Sequence, residues 1–247
     1  MSQPAPEMRR LERGPVVIGP GHWSARRINR LLAAYPAPHS YLEIGLSMGL
    51  TFERVSAQVR WGVDPSPRFD TEFLPAGVQI FVKSSDHFFE TTRPATRFDV
   101  VYIDGLHQFR QVYRDLLNSL AHLAPRGSVL IDDTVPCDEV SAIPDQRRSL
   151  MRRAELGCAG TPWHGDVWKA VVAIAQLHPE LDFRTIIGSG NPQTLVWYAP
   201  ESAPAPRAAT DADLARIAAL EYESVLGAGV PELFRPCSED AALAMRG

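Results

Sequence analysis

The chain is poor in several things. It has three cysteines in 247 residues, Cys137, Cys158 and Cys237, and none of them stands at a metal-ligand spacing from another. That excludes a disulfide framework and a thiolate zinc site, and reads as free thiols in a reducing compartment. Basic residues are not in excess: 25 Lys and Arg face 29 Asp and Glu, for a net charge of −4. A protein held on nucleic acid by phosphate contacts needs the opposite balance. No run approaches the roughly 18 apolar residues of a membrane span. The opening MSQPAPEMRRLERGP lacks the apolar stretch of a secretory signal. A cytoplasmic protein without nucleic-acid or membrane partners is therefore expected. Internal repeats are absent too. What remains is ordinary globular composition, 45% hydrophobic, enough for a sizeable core.

Read along its length, the chain alternates strand and helix. Residues 1–15 are polar and Pro-rich and read as a flexible N-terminus. Ser24 is placed to cap a helix over 24–35. SYLEIGL (40–46) reads as a buried strand, followed by a helix near 49–59. RWGVD (60–64), VQIFVK (78–83) and DVVYID (99–104) read as strands two to four; the last is apolar without alternation, as where both faces are covered. Helical spacing runs over 107–123, then SVLID (128–132) is strand five. Residues 134–165 are irregular, with a short basic helix near 145–156. A loop that long is usually functional, so an active-site lid is expected there. A helix follows at 166–178, then a hairpin of DFRTIIG and QTLVWYA around Ser189–Pro192. ESAPAPRAAT (201–210) reads as a linker, with a helix over 211–226 and a short one capped by Ser238. Three divisions follow: 1–15, a domain over 16–200, and a C-terminal helical segment over 201–247 with apolar residues for a homodimer contact. The expected fold is α/β: a doubly wound, Rossmann-like, seven-stranded, mostly parallel sheet with one antiparallel strand from the C-terminal hairpin.

The chemistry gathers at strand ends. Asp104 and His107 close FDVVYIDGLHQF (98–109), and Asp132 and Asp133 close the apolar run of GSVLIDDTVP (127–136). Ligands of open α/β sheets bind outside the carboxyl ends of the strands, so three carboxylates and an imidazole converge on one crevice. Such oxygens suit a hard divalent cation, and histidine suits a general base near neutral pH. The bland readings are helix caps for Asp104, a turn for Asp132-Asp133 and a surface place for His107. Earlier in the chain, Glu43-Ile44-Gly45-Leu46-Ser47-Met48-Gly49 passes from strand to helix, and Asp64 ends the next strand 19 residues after Gly45. Glycines admit a ligand close to the backbone, and an acid at that distance can grip a ribose. The glycines stand four apart, unlike the dinucleotide fingerprint, so a nucleoside without phosphate fits better. Glu43, an acid within an apolar strand, needs a partner or a task. Ser85 and Asp86, after strand three, are candidates for adenine contacts, although Ser84-Ser85-Asp86 can simply cap a helix. Trp163 and His164 are candidate acceptor contacts, with His164 a possible second base; Trp168 reads as core.

Taken together, E-x-G-x-x-x-G, the acid ending strand two, Y-I-D-G-x-H and I-D-D resemble class I S-adenosylmethionine-dependent methyltransferases. More narrowly they resemble the metal-dependent branch with the macrolide-sugar O-methyltransferases of the macrocin and mycinamicin type. The likeness covers 40–136 well and 163–199 loosely. It implies S-adenosylmethionine as donor, held by Glu43, Gly45, Gly49, Asp64, Ser85 and Asp86. It implies Mg2+ or Mn2+ on Asp104, Asp132 and Asp133, with His107 as base, and a small-molecule or oligosaccharide acceptor methylated on a sugar hydroxyl. One departure is that Asp132 stands where those enzymes commonly carry Glu, one methylene longer. Three alternatives stay open: the same chemistry on a phenol or other natural product, disfavoured because the catechol type commonly has lysine at the position of His107; a nicotinamide-dependent dehydrogenase; and a binding module with a degenerate site.

Overall fold

The computed structural model describes residues 23–72, 74–157, 162–199 and 209–246. The expected N-terminal segment 1–15, Cys158 and most of the expected linker lie outside the described residues. In chain order the elements are α1 (Trp23–Leu32), β1 (Ser40–Ile44), α2 (Leu50–Glu53), β2 (Val59–Val63), β3 (Val78–Phe81), α3 (Ser85–Thr91), β4 (Phe98–Ile103), α4 (Phe109–Ala121), β5 (Leu123–Ile131), α5 (Gln146–Glu155), α6 (Trp168–Leu177), β6 (Leu181–Ile186), β7 (Gln193–Tyr198), α7 (Asp211–Ala218), α8 (Tyr222–Val225), a 3-10 turn (Glu232–Phe234), β8 (Pro236–Cys237) and α9 (Glu239–Ala244).

The strands form one sheet in the order β3-β2-β1-β4-β5-β7-β6-β8. Only β7 runs against its neighbours, pairing antiparallel with both β5 and β6. The doubly wound, mostly parallel sheet and its single reversed strand are as expected. The count is eight rather than seven, because Pro236–Cys237 pairs with Thr185 and Ile186 at the β6 edge. Strand parity sorts the core into two layers. Leu42, Ile44, Val101, Ile103, Val129 and Ile131 face the side carrying α4 and α6. Tyr41, Val100, Tyr102 and Leu130 face the side carrying α1 and α2.

Several boundaries move, each for a local reason. α2 is a single turn, not a helix to residue 59, because the Asn29 amide donates to the Arg54 carbonyl at 2.9 Å and accepts from Ser56 N–H at 2.7 Å, pulling the chain out of the helix. Ser24 does not cap α1. It lies inside the helix, its hydroxyl accepting from the Gln193 amide and paired with the Tyr102 hydroxyl. α4 begins at Phe109, whose N–H donates to the Asp166 carboxylate at 2.7 Å; Asp166 thus serves the start of α4 from a distant loop. The expected helix over 211–226 is broken into α7 and α8. Of the apolar residues after 200, Ile217, Leu226, Phe234, Ala242 and Leu243 are buried in the chain's own core, and Leu233 and Met245 are exposed.

Candidate active site

The crevice lies where the sequence places it, beyond the carboxyl ends of β1, β2 and β4. It is a cavity of about 710 Å³ lined on one side by Gly45, Ser47, Asp64, Arg68, Ser85, Gln111 and Asp115, and on the other by Asp104, His107, Gln146 and Trp163.

On the first side the turn after β1 is built by left-handed backbone at Gly45 (φ 89°), Ser47 (φ 45°) and Gly49 (φ 72°). At Gly45 glycine is required twice over, since a Cβ there would stand 2.1 Å from the Asp104 carbonyl oxygen. This turn is therefore pressed against the end of β4, which brings the two halves of the crevice together. Asp64 shapes it from the next strand. Its Oδ2 accepts from Leu46 and Ser47 N–H at 2.7 and 2.9 Å, and its Oδ1 accepts from Ser66 N–H at 2.7 Å. The acid lines the cavity while its oxygens organise the loop. Ser84 caps α3 and Ser85 lines the cavity.

Three expected donor contacts are not in that lining. Asp86 is held outward by Arg114, with N···O separations of 3.2 and 3.3 Å, and that ion pair keeps its carboxyl below the usual range. Glu43 lies beneath the turn on the α1 side of the sheet, with the Tyr41 hydroxyl donating to it at 2.6 Å; burial pushes its carboxyl well up, against the hydrogen bond from Tyr41. Gly49 shapes the turn without lining the cavity. In their place the cavity offers Gln111 and Asp115, one turn apart on α4, which sequence reading missed. The Gln111 amide donates to Ser85 Oγ and to Asp115 Oδ1, both at 3.1 Å. They belong to the polar face of α4, with Gln108, Asn118 and Ser119, where their i,i+4 spacing was the only local signal.

On the second side, oxygens and nitrogens crowd. Asp104, His107 and Asp133 each bring one ligand atom within 4.8 Å of the others; no other His, Cys, Asp or Glu group among the described residues does so. His107 Nε2 is 3.5 Å from Asp104 Oδ1, and Nδ1 is 3.2 Å from Asp133 Oδ2. Nδ1 also lies 3.1 Å from the Trp163 carbonyl, and the two rings stack at 4.7 Å. A carbonyl only accepts, so Nδ1 carries the hydrogen and the Nε2 lone pair of the neutral ring faces Asp104. Two acceptors facing each other, a lone pair and a carboxylate oxygen, need a proton or a cation between them.

Asp132, expected as a third ligand, is not in this group. It has the strand parity of Leu130 and turns beneath the sheet, where the Tyr102 hydroxyl donates to it; its other oxygen accepts from Asp133 N–H at 2.8 Å and from Asn191 Nδ2 at 2.5 Å. Asp133 escapes that face because its backbone is left-handed, φ 57°, a conformation Asp tolerates better than most. The two adjacent acids thus point to different places.

The electrostatics follow from this crowding. Burial and then Asp132 push the Asp104 carboxyl up to about 6. Burial and again Asp132 push Asp133 up to about 8. Burial pulls His107 down, yet Asp104 and Asp133 outweigh it and raise the imidazole to about 9. The site holds more acid than it can leave charged. That, together with carboxylate oxygens of Asp104 and Asp133 within 4.8 Å of each other, one lining the cavity and the other just behind its lining, fits a hard divalent cation on these two acids.

The segment expected as a lid packs against this side. Gly165 (φ 62°) fits where a Cβ would strike the His107 carbonyl at 1.8 Å. Trp163 Nε1 donates to the Ile143 carbonyl at 2.7 Å, and Gln146 at the start of α5 reaches the cavity. His164 is buried 3.6 Å from Asp133, outside the cavity lining, and burial lowers its imidazole.

Residues 42–134 match the model of a family described as a methyltransferase domain. No curated protein matches the chain. Among solved structures, the chain is similar to cofactor-bound Rv0187 from MTB, with a TM-score of 0.48 and 16% identity over 76% of this chain and 83% of that one. It is similar to the O-methyltransferase TomG from Streptomyces achromogenes, solved with SAM, with a TM-score of 0.44 and 14% identity over 70% and 78%. The O-methyltransferase from Bacillus cereus, solved with SAH, gives 0.42 and 16% over 73% and 81%. Likenesses this distant carry neither an activity nor an acceptor across to the chain.

Proposed function

We propose that this chain, an S-adenosylmethionine-dependent methyltransferase by its domain over residues 42–134, methylates an oxygen acceptor with the help of Mg2+ or Mn2+, the acceptor being a sugar hydroxyl of a glycoside. The observation that carries the reading is the group Asp104, His107 and Asp133, two of whose members line the cavity.

The donor arrives activated, since a sulfonium is a good leaving group. The difficulty lies with the acceptor, whose hydroxyl holds its proton about as tightly as water does, with a pKa of roughly 15.7. A divalent ion, when bound, polarises that hydroxyl and offsets the carboxylate charge that keeps a proton on His107. The chain's own residues do the rest. Asp104 and Asp133 hold and orient. The Trp163 carbonyl fixes the His107 tautomer, so Nε2 accepts the acceptor's proton as the oxygen attacks the methyl carbon. The flat faces of Trp163 and His107, stacked at the cavity wall, suit the apolar face of a sugar ring. The turn at Gly45 and the Asp64 loop place the donor opposite. A nicotinamide dehydrogenase has no use for the Asp104–His107–Asp133 group.

The test is incubation of the protein with methyl-labelled donor, Mg2+ and a panel of glycosides and phenols, followed by mass spectrometry. One added methyl on a glycoside hydroxyl supports the reading. Labelling of phenols alone removes the sugar, and labelling of nitrogen acceptors alone removes the oxygen chemistry.

A further inference from the structure

Arg27 in α1 is wholly buried, a place where a guanidinium persists only when its donors are met. Its Nε donates to Glu239 at 3.0 Å. Nη1 donates to the Asn191 carbonyl and to Gln193 Oε1, both at 2.7 Å, and Nη2 donates to the Ser189 carbonyl. Apart from Glu239, every acceptor lies at the β6–β7 hairpin tip. The tip is also fitted against α1 by Gly190 (φ 64°), where a Cβ would stand 2.2 Å from the Trp23 ring.

Asn191 is held by its carbonyl from one side and reaches out with its amide on the other. Nδ2 lies 2.5 Å from Asp132 Oδ1 and 2.8 Å from Asp133 Oδ1. Only the nitrogen end of the amide can face two carboxylates, so its orientation is fixed by chemistry. Its two hydrogens serve one acid each. Asn191 does not line the donor cavity.

We infer that Asn191 is a positioning residue for the Asp132–Asp133 pair, bridging two acids that repel each other and setting where Asp133 presents its free oxygen, with Arg27 and Glu239 anchoring the hairpin that carries it. The inference rests on the proposed divalent-ion reading. It makes the C-terminal helix α9, through Glu239, part of the support of a site formed by the middle of the chain.

Removing a group that orients a metal ligand typically weakens ion affinity about 10–100-fold. The experiment is calorimetric titration of Mn2+ into the parent and into Asn191→Ala, alongside ion-dependent rates and S-adenosylhomocysteine affinity. Expected is a loss of ion affinity in that range, with turnover recovering at saturating ion and S-adenosylhomocysteine affinity near the parent's. A general loss of structure would move both affinities. Glu239→Gln leaves Arg27 an acceptor and should shift ion affinity less, in the same direction; it carries the test if Asn191→Ala does not fold. Equal ion affinity in parent and variants overturns the inference, as does a parallel loss of ion and S-adenosylhomocysteine binding. A parent that binds no ion overturns the divalent-ion reading, and this inference with it.

Discussion

The two sides of the crevice treat their acids differently. On the donor side two acids are answered within the chain: Asp64 takes three backbone N–H groups, and Asp86 is paired with Arg114. On the acceptor side Asp104 and Asp133 face each other and His107, and both carboxyls are raised, first by burial and then by Asp132. A carboxylate ringed by N–H donors is a finished structural device. A pair of close, buried acids is satisfied by a proton or by a cation, and the proposed reading assigns the cation. The difference teaches that the donor side is shaped by bonds within the chain, whereas on the proposed reading the acceptor side would take its working charge from an ion.

The comparison breaks most visibly at His107. His107→Gln keeps a polar side chain but cannot take the proton. Turnover should fall about 10²–10⁴-fold, the usual range for a lost general base, while S-adenosylhomocysteine affinity stays near the parent's. Single-turnover kinetics and calorimetry check both halves; wild-type turnover in this variant would move the base elsewhere.

The two sides should also separate cleanly from each other. Asp133→Ala should abolish ion binding and leave the donor bound. Asp64→Asn gives up one acceptor charge beneath the Leu46–Ser47 turn and should weaken donor binding about tenfold, in line with about 1.5 kcal/mol for a hydrogen bond to a charged group, with ion affinity unchanged. Crossed results, Asp133→Ala losing the donor or Asp64→Asn losing the ion, would mean the two halves are not independent.

The smallest effect concerns an acid on the donor side that is not answered so fully. Asp115 is buried, and desolvation raises its carboxyl to about 6. The folded chain therefore holds this proton more tightly than the unfolded one. Its contribution to stability is present at low pH and is lost as pH rises from about 4 through about 6. Asp115→Asn keeps an oxygen for the Gln111 amide and removes the charge. It should gain roughly 1–3 kcal/mol over the parent above pH 6, at about 1.4 kcal/mol per pKa unit, and nothing near pH 4. Denaturant midpoints at the two pH values measure this, and an equal difference at both would refute it.

Much of this was legible in the sequence because strand ends are simple to read. Apolar runs that stop abruptly in acids place Asp64, Asp104 and Asp133 at one edge of a parallel sheet, and the alternation of elements gives the fold. The division of labour between Asp132 and Asp133 was half legible. Period-two parity puts Asp132 with Leu130 and Tyr102 on one face, but the left-handed backbone at Asp133 depends on tertiary packing. Asn191 and Arg27 were not legible, because Asn191 reaches Asp133 from 58 positions away and Arg27 reaches Asn191 from 164 positions away, and nothing local marks them. The two-residue strand β8 was missed for a similar reason: Pro236–Cys237 carries no strand pattern and is ordered by the edge of β6.

The central claim is that the acceptor side takes up one divalent cation, and proton counting tests it most directly. Mg2+ or Mn2+ should be titrated calorimetrically into the protein near pH 7, with S-adenosylhomocysteine present, in buffers of different ionisation enthalpy. The account predicts one ion per chain and release of protons on binding, because Asp133 and His107 hold theirs above neutral pH until the ion arrives. No ion heat in any buffer, together with full methyl transfer in EDTA, would contradict it.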